Sequence, residues 1–212
     1  MPNIVDAPWL YLGLIALHLL LGQFGSALVY RWRFGGSPLV LYRPGQRTRH
    51  MALTRAIGGV SLLWFGSIFA YTFSPLFRES WLGRPLFHVD PAWGFGLALL
   101  CLAGMLGSQA AMGRSFRVGQ DETGDPELVS SGLYRYSRNP VYVFSFFYLV
   151  GATLWAPGFL ASASCAGLGW LMHGLVLAEE EFLARQLGAS YREYRRRVPR
   201  YAPLPGWRRW DS

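Results

Sequence analysis

Five stretches of the chain are almost free of charge: about Trp9 to Tyr30, Met51 to Phe73, Ala92 to Met112, Val141 to Trp155 and Phe159 to Ala178. A helix crossing the bilayer core needs roughly 20 apolar residues, and the first three runs reach that length unaided. The last two are separated by Ala156-Pro157-Gly158, uncharged punctuation that suits a tight helical hairpin. The pattern predicts an all-α integral membrane protein of about five transmembrane helices, organised as one membrane domain over 1–212. Residues 1–112 hold three spans, and 113–203 hold a polar loop, the hairpin and a C-terminal helix.

Composition supports lipid as the solvent. Hydrophobic residues make up 52% of the 212 positions and charged residues 15%, more apolar side chain than one soluble core of this length would bury. The N-terminus lacks a basic start and a small-residue cleavage site, so the first apolar run is expected to remain as a span. Cys101 and Cys165 fall inside expected spans without His or Cys neighbours at ligand spacing, which argues for reduced core residues and against a metal site or a disulfide.

All 20 basic residues are arginine, and their placement sets the expected topology. Arg31, Arg33, Arg43, Arg47 and Arg49 lie between spans one and two, Arg114, Arg117, Arg135 and Arg138 between three and four, and a dense group from Arg185 to Arg209 follows span five. The opposite side holds Arg78 and Arg84, offset by Glu79 and Asp90. Short cytoplasmic loops carry the positive excess, so the N-terminus is expected outside and the C-terminus inside, in the cytoplasmic membrane of a bacterium. The net charge of +8 then reflects topology and lipid headgroups and implies no nucleic-acid partner.

With that topology, the loop Gly113 to Asn139 and the tail after Ala178 share the cytoplasmic face. The loop carries Gly119, Gln120, Asp121, Glu122, Gly124, Asp125 and Pro126, then returns through Leu128-Val129-Ser130-Ser131-Gly132-Leu133-Tyr134. Span four opens with Ser137-Arg138-Asn139-Pro140-Val141-Tyr142, where Asn139 is placed as the N-cap and Pro140 as the first helical residue. That is either a well-capped helix start alone or an anion site, since a helix N-terminus offers free N–H groups and Arg138 adds charge.

Glu179-Glu180-Glu181 follows directly on the last apolar run, and three adjacent carboxylates are costly near hydrocarbon. The apolar pattern resumes at Phe182, Leu183 and Leu187, so the helix is expected to continue to Gly188, about 43 Å from Phe159 and long enough to emerge near the triplet. A solvated exit explains Glu181; a carboxylate facing the bundle would want hydroxyl, amine or arginine partners. Beyond Gly188, Ser190-Tyr191-Arg192-Glu193 reads as a capping box, and Tyr191, Tyr194 and Val198 form one stripe of a helix expected on the inner membrane surface, ended by Pro199.

A linked set of residues between about Gly113 and Pro203 resembles the isoprenylcysteine carboxyl methyltransferase-like and phospholipid methyltransferase family of membrane enzymes. The set is Leu128-Val129, Gly132-x-Tyr134, Arg138-x-Pro140-x-Tyr142, Glu179-Glu180, Gly188, Tyr191, Tyr194 and Val198-Pro199-Arg200. The resemblance implies S-adenosylmethionine as cofactor, held at the cytoplasmic face by Leu128, Val129, Tyr134, Asn139, Pro140, Val141, Tyr142 and Glu179, with Gln120 and Glu180 as further contacts. Two departures stand out. Asn139 replaces the family's usual histidine, so no proton shuttle near neutral pH can reside there. Leu175 stands where members acting on prenylated cysteine carry an arginine, which disfavours a prenylcysteine carboxylate and leaves a lipid amine, a small thiol or another hydrophobic acceptor.

Methyl transfer from a sulfonium needs alignment and exclusion of water more than covalent help. His173, about 10 Å deeper than Glu180 on nearly the same helix face, is a candidate to contact or deprotonate the acceptor, with a hydrogen-bonded core histidine as the alternative. His18 reads as a core histidine, and His50 and His88 as loop residues. Rival readings are an NADPH-dependent membrane reductase of the sterol type, which shares an Arg-x-Pro-x-Tyr segment but usually needs more helices, and a non-enzymatic membrane scaffold. Oligomeric state is not legible.

Overall fold

The computed structural model describes residues 8–35, 49–113 and 128–201, and within these everything regular is helical apart from one isolated bridge. Helix α1 spans Pro8–Phe34, α2 Arg49–Phe73, the short α3 Pro75–Glu79, α4 Pro91–Met112, α5 Pro140–Trp155 and α6 Phe159–Arg197. Four of these, α1, α2, α4 and α6, are long and apolar enough to cross a membrane. The expected fourth span forms as α5, but its 16 residues reach about 24 Å, short of a roughly 30 Å hydrocarbon core.

Contacts fix the helix directions. Helix α2 lies antiparallel along α6, with Val60 beside Gly167 and Leu53 beside Gly174. Helix α4 lies antiparallel along α5, where their glycines meet: a Cβ on Gly94 would stand 2.5 Å from the Gly151 carbonyl oxygen, and one on Gly151 would stand 2.7 Å from that of Gly94. Small residues let two backbones approach where lipid offers no hydrophobic drive for association. Helix α1 leans on α4 through a π-helical segment, His18–Gly25, whose wider turn leaves the Gly22 carbonyl to accept a 3.2 Å bond from Gln109 Nε2. Between the helices, Trp64 Nε1 donates to Thr153 Oγ1 at 2.9 Å inside a cluster of Tyr11, Ile68, Trp155, Cys165 and Leu168. Cys101 and Cys165 are buried free thiols.

The two ends of the bundle differ. At one end the Ala156-Pro157-Gly158 hairpin is pinned by the 80–90 segment, through Leu86 N to Pro157 O and Leu160 N to Leu82 O, both 2.9 Å. At the other end gather the start of α2, the end of α4, a 3₁₀ turn at Gly132–Arg135, the start of α5 and the acidic part of α6. Helix α6 continues through the triplet and breaks at Gly188, whose φ of 55° and ψ of −117° suit a residue without a Cβ. The expected capping box at Ser190 does not form. Glu193 turns forward to Arg197 at 2.9 Å, since helical geometry already satisfies the backbone there. The Tyr191, Tyr194 and Val198 stripe is buried against Leu128, Leu183 and Leu187, so the protein itself takes the apolar face expected to meet lipid.

The glycine seam makes a prediction. Gly151→Ala should lower the thermal midpoint of the solubilised protein by the equivalent of about 1 to 3 kcal/mol, because backbone must move to admit the methyl group. Gly96→Ala, where the added carbon meets nothing within 4 Å, should leave the midpoint unchanged or raise it. Parallel melts of the two variants decide; equal midpoints would mean that α4 and α5 do not touch as described.

Candidate functional site

Local sequence sets the start of α5. Pro140 occupies the first helical position and Asn139 the N-cap, but the Asn139 side chain makes no capping bond. Its amide Nδ2 donates instead to Glu180 Oε1 at 3.0 Å and to the Arg200 carbonyl at 3.2 Å. The neighbour sets the orientation: turning Nδ2, the donor of the amide, toward the buried carboxylate and the Arg200 carbonyl takes Oδ1 out of capping geometry. Ser137 Oγ accepts from Asn139 N and donates to Arg200 O, and Arg138 N donates to Pro199 O at 2.9 Å. The segment after α6 is thereby laid across the start of α5.

The acidic triplet divides three ways, as 100° steps around a helix require. Glu181 is 61% exposed and pairs with Arg185 one turn on. Glu180 is 3% exposed and fully engaged: Arg200 Nε and Nη2 donate to its two oxygens at 3.1 Å each, and Arg138 Nη1 stands 3.3 Å from Oε2. Hydrogen bonding to Glu180 also raises the pKa of the Arg200 guanidinium further above its ordinary value. Both oxygens of Glu180, an expected cofactor contact, have partners within the protein, as a carboxylate this deeply buried requires.

Glu179 is different. Its side chain is 34% exposed; Oε1 accepts from the Tyr142 hydroxyl at 2.5 Å and lies 3.5 Å from His50 Nε2. No group among the described residues donates to Oε2. Tyr134 lies close by, buried, with a phenol whose pKa is raised by burial, by Tyr194 and by the charge of Glu179; its carbonyl takes the Tyr194 hydroxyl at 2.7 Å. Arg138 is 9% exposed; beyond the ion pair of Nη1 with Glu180, its Nε and Nη1 meet no acceptor in hydrogen-bond geometry among the described residues.

The residues singled out from sequence therefore fall into groups. Tyr134, Tyr142 and Glu179 come together, as do Arg138, Asn139 and Glu180. Leu128 packs into the tyrosine stripe, Val141 against the α4 core beside Tyr148, and Val129 is partly buried ahead of the 3₁₀ turn. Pro140 is buried at the helix start, and Gln120 lies outside the described residues. His173 Nδ1 is 2.6 Å from the Tyr201 hydroxyl. His18 stacks on Tyr148 at 4.3 Å, as a core residue should.

His50 and Arg200 were missed. His50, expected in a loop, sits in the first turn of α2 at 4% exposure. Its position immediately before an apolar run, with Thr54 one turn on, was the available signal; Thr54 Oγ1 does bond its carbonyl at 2.9 Å. Arg200 appeared in the motif without a role, and its partner lies 20 residues earlier.

Comparison with known proteins bears on this geometry. The phospholipid methyltransferase family model matches residues 91–190, which include Tyr134, Arg138, Asn139, Tyr142, Glu179 and Glu180. Protein-S-isoprenylcysteine O-methyltransferase of Schizosaccharomyces pombe is 32% identical over 148 residues, covering 68% of this chain and 62% of the relative, so the chain spans under two thirds of that protein's length. Among solved structures, the eukaryotic intramembrane Ras methyltransferase, isoprenylcysteine carboxyl methyltransferase, superposes with a TM-score of 0.59 at 20% identity, covering 94% of this chain and 67% of that one. Sequence and fold agree: this chain is an integral membrane protein related to the isoprenylcysteine carboxyl methyltransferase and phospholipid methyltransferase enzymes.

Proposed function

We propose that the protein is an S-adenosylmethionine-dependent methyltransferase acting on a hydrophobic or lipid-associated acceptor. The observation that carries this reading is the divided state of Glu179, with one oxygen held by Tyr142 beside His50 and the other left to accept from a ligand. S-adenosylmethionine brings donors for such an oxygen in its ammonium and ribose hydroxyls. Its carboxylate asks for the opposite chemistry, which Arg138 and the N–H groups at the start of α5 offer. The residues fit the group.

When bound, S-adenosylmethionine supplies a methyl group on a sulfonium, already activated toward displacement by a neutral leaving group. The chain's own part is placement. Tyr134, Arg138, Tyr142 and Glu179 carry the contacts in this reading, while Leu128, Val129, Asn139, Pro140 and Val141 frame them by packing. Glu180 holds the 198–201 segment over the site, and His173, a candidate to contact the acceptor, also bonds that segment through Tyr201. Gln120 stays a proposed contact.

The acceptor is proposed to enter from the bilayer. Leu175 is buried and apolar, which favours a neutral acceptor such as a lipid amine or thiol over a prenylcysteine carboxylate, although the two matched relatives are isoprenylcysteine methyltransferases by name. The arginine asymmetry supports a site at the cytoplasmic face, and the packing of α5 between α4 and α6 supports reading it as a fifth, short crossing.

Three outcomes are expected. S-adenosylhomocysteine should raise the melting temperature of the solubilised protein and NADPH should not, by linkage to the native state; the reverse preference would replace this reading with a reductase. Glu179→Gln should weaken S-adenosylhomocysteine binding about tenfold to a hundredfold in calorimetry and Glu181→Gln should leave it unchanged, while Glu180→Gln should lower stability by about 3 to 5 kcal/mol through two arginines left without a counter-charge. Cysteines introduced at Ser130 and Ser212 should label from the same side of the membrane; labelling from opposite sides would refute the crossing of α5.

A further inference from the structure

His50 is the residue of the site that precedes the matched family segment. It comes from α2, more than 120 positions from its partner, yet two contacts fix its place. Antiparallel packing sets Val60 against Gly167 and Leu53 against Gly174, where an added Cβ would come within 3.3 Å of Leu53 Cδ2. That register, continued one turn, brings position 50 to the level of Glu179, and the imidazole Nε2 is found 3.5 Å from Oε1. Buried in the first turn of a helix, His50 is positioned by packing and has little freedom to follow a mobile partner.

The chemistry at Oε1 restricts what His50 can be. Tyr142 donates its hydroxyl hydrogen to that oxygen at 2.5 Å, and a carboxylate oxygen has two lone pairs. An imidazole nitrogen presenting a lone pair to the same oxygen would be repelled, so Nε2 carries hydrogen. Two donors on Oε1 turn the carboxylate plane and stop its rotation, which directs Oε2 to the exposed side. We propose that His50 is a positioning residue for ligand binding: its Nε2 hydrogen, with the Tyr142 hydroxyl, fixes one oxygen of Glu179 so that the other is held out to ligand donors. The inference rests on the reading of the site as a cofactor site. It adds α2 to the elements that determine affinity.

The test uses the full chain in detergent, S-adenosylhomocysteine as the probe and calorimetric affinity as the readout. His50→Gln keeps an N–H near the Nε2 position, His50→Asn places its amide near Nδ1 instead, and His50→Leu keeps bulk without a donor. Leu and Asn should bind about fivefold to tenfold more weakly than the parent, with Gln within about twofold of it. In a Glu179→Gln background the three variants should differ from one another by less than about twofold, because the group that His50 orients is gone. Should His50→Leu fail to fold, the contrast between Gln and Asn, both polar, still decides. Equal affinity for Gln and Asn, or losses of the same size in both Glu179 backgrounds, would make His50 a packing residue. A parent that does not bind the probe at all would overturn the cofactor reading itself, and this inference with it.

Discussion

A single carboxylate taken out of water governs the site end of this molecule. Glu180 sits on the last long helix, inside the bundle, where an unpaired charge would cost several kcal/mol or force neutralisation. The chain answers with Arg138 and Asn139 from the start of α5 and with Arg200 from beyond the break at Gly188. Each answer has a structural result. The arginine and asparagine tie α5 to α6, and Arg200 draws residues 198–201 back over both. Because the charge is surrounded on three sides, the neighbouring Glu179 is rotated to the open side, where it meets Tyr142 and His50. The distinction between the two acids follows from adjacency on a helix whose one face is buried.

Much of this could be read along the chain. The hairpin at Ala156-Pro157-Gly158, the start of α5 at Pro140, continuation of α6 through three acids and its break at Gly188 are local features, written in apolar runs and in residues with special backbone preferences. What could not be read is the choice made by a side chain with two options. Asn139 satisfies any rule for a helix cap, yet donates to Glu180 and Arg200, and Glu193 satisfies the capping box, yet turns to Arg197. In both cases a charged partner supplied by the folded arrangement outcompetes a backbone group supplied by the sequence. The signal at His50 was faint for a related reason: an apolar run marks where lipid begins, and a helix extends past that point for as long as its neighbours hold it.

The family segment and the site do not coincide. Residues 91–190 contain the tyrosines, the paired acids and the start of α5, but the donors that complete both acids come from elsewhere, His50 before the segment and Arg200 after it. In length the chain is the smaller partner, since 94% of it superposes on 67% of a larger membrane enzyme.

The seam of Gly94 and Gly151 has its own meaning for traffic in the plane of the bilayer. Two backbones in contact leave no gap wide enough for a hydrocarbon tail, so α4 and α5 are closed to lipid at that level. Anything that slides in from the lipid must use a boundary lined by side chains able to turn aside, and the number of such doorways is reduced before any question of chemistry arises. A glycine pair at the hairpin end thus narrows the routes open to a lipid-borne molecule.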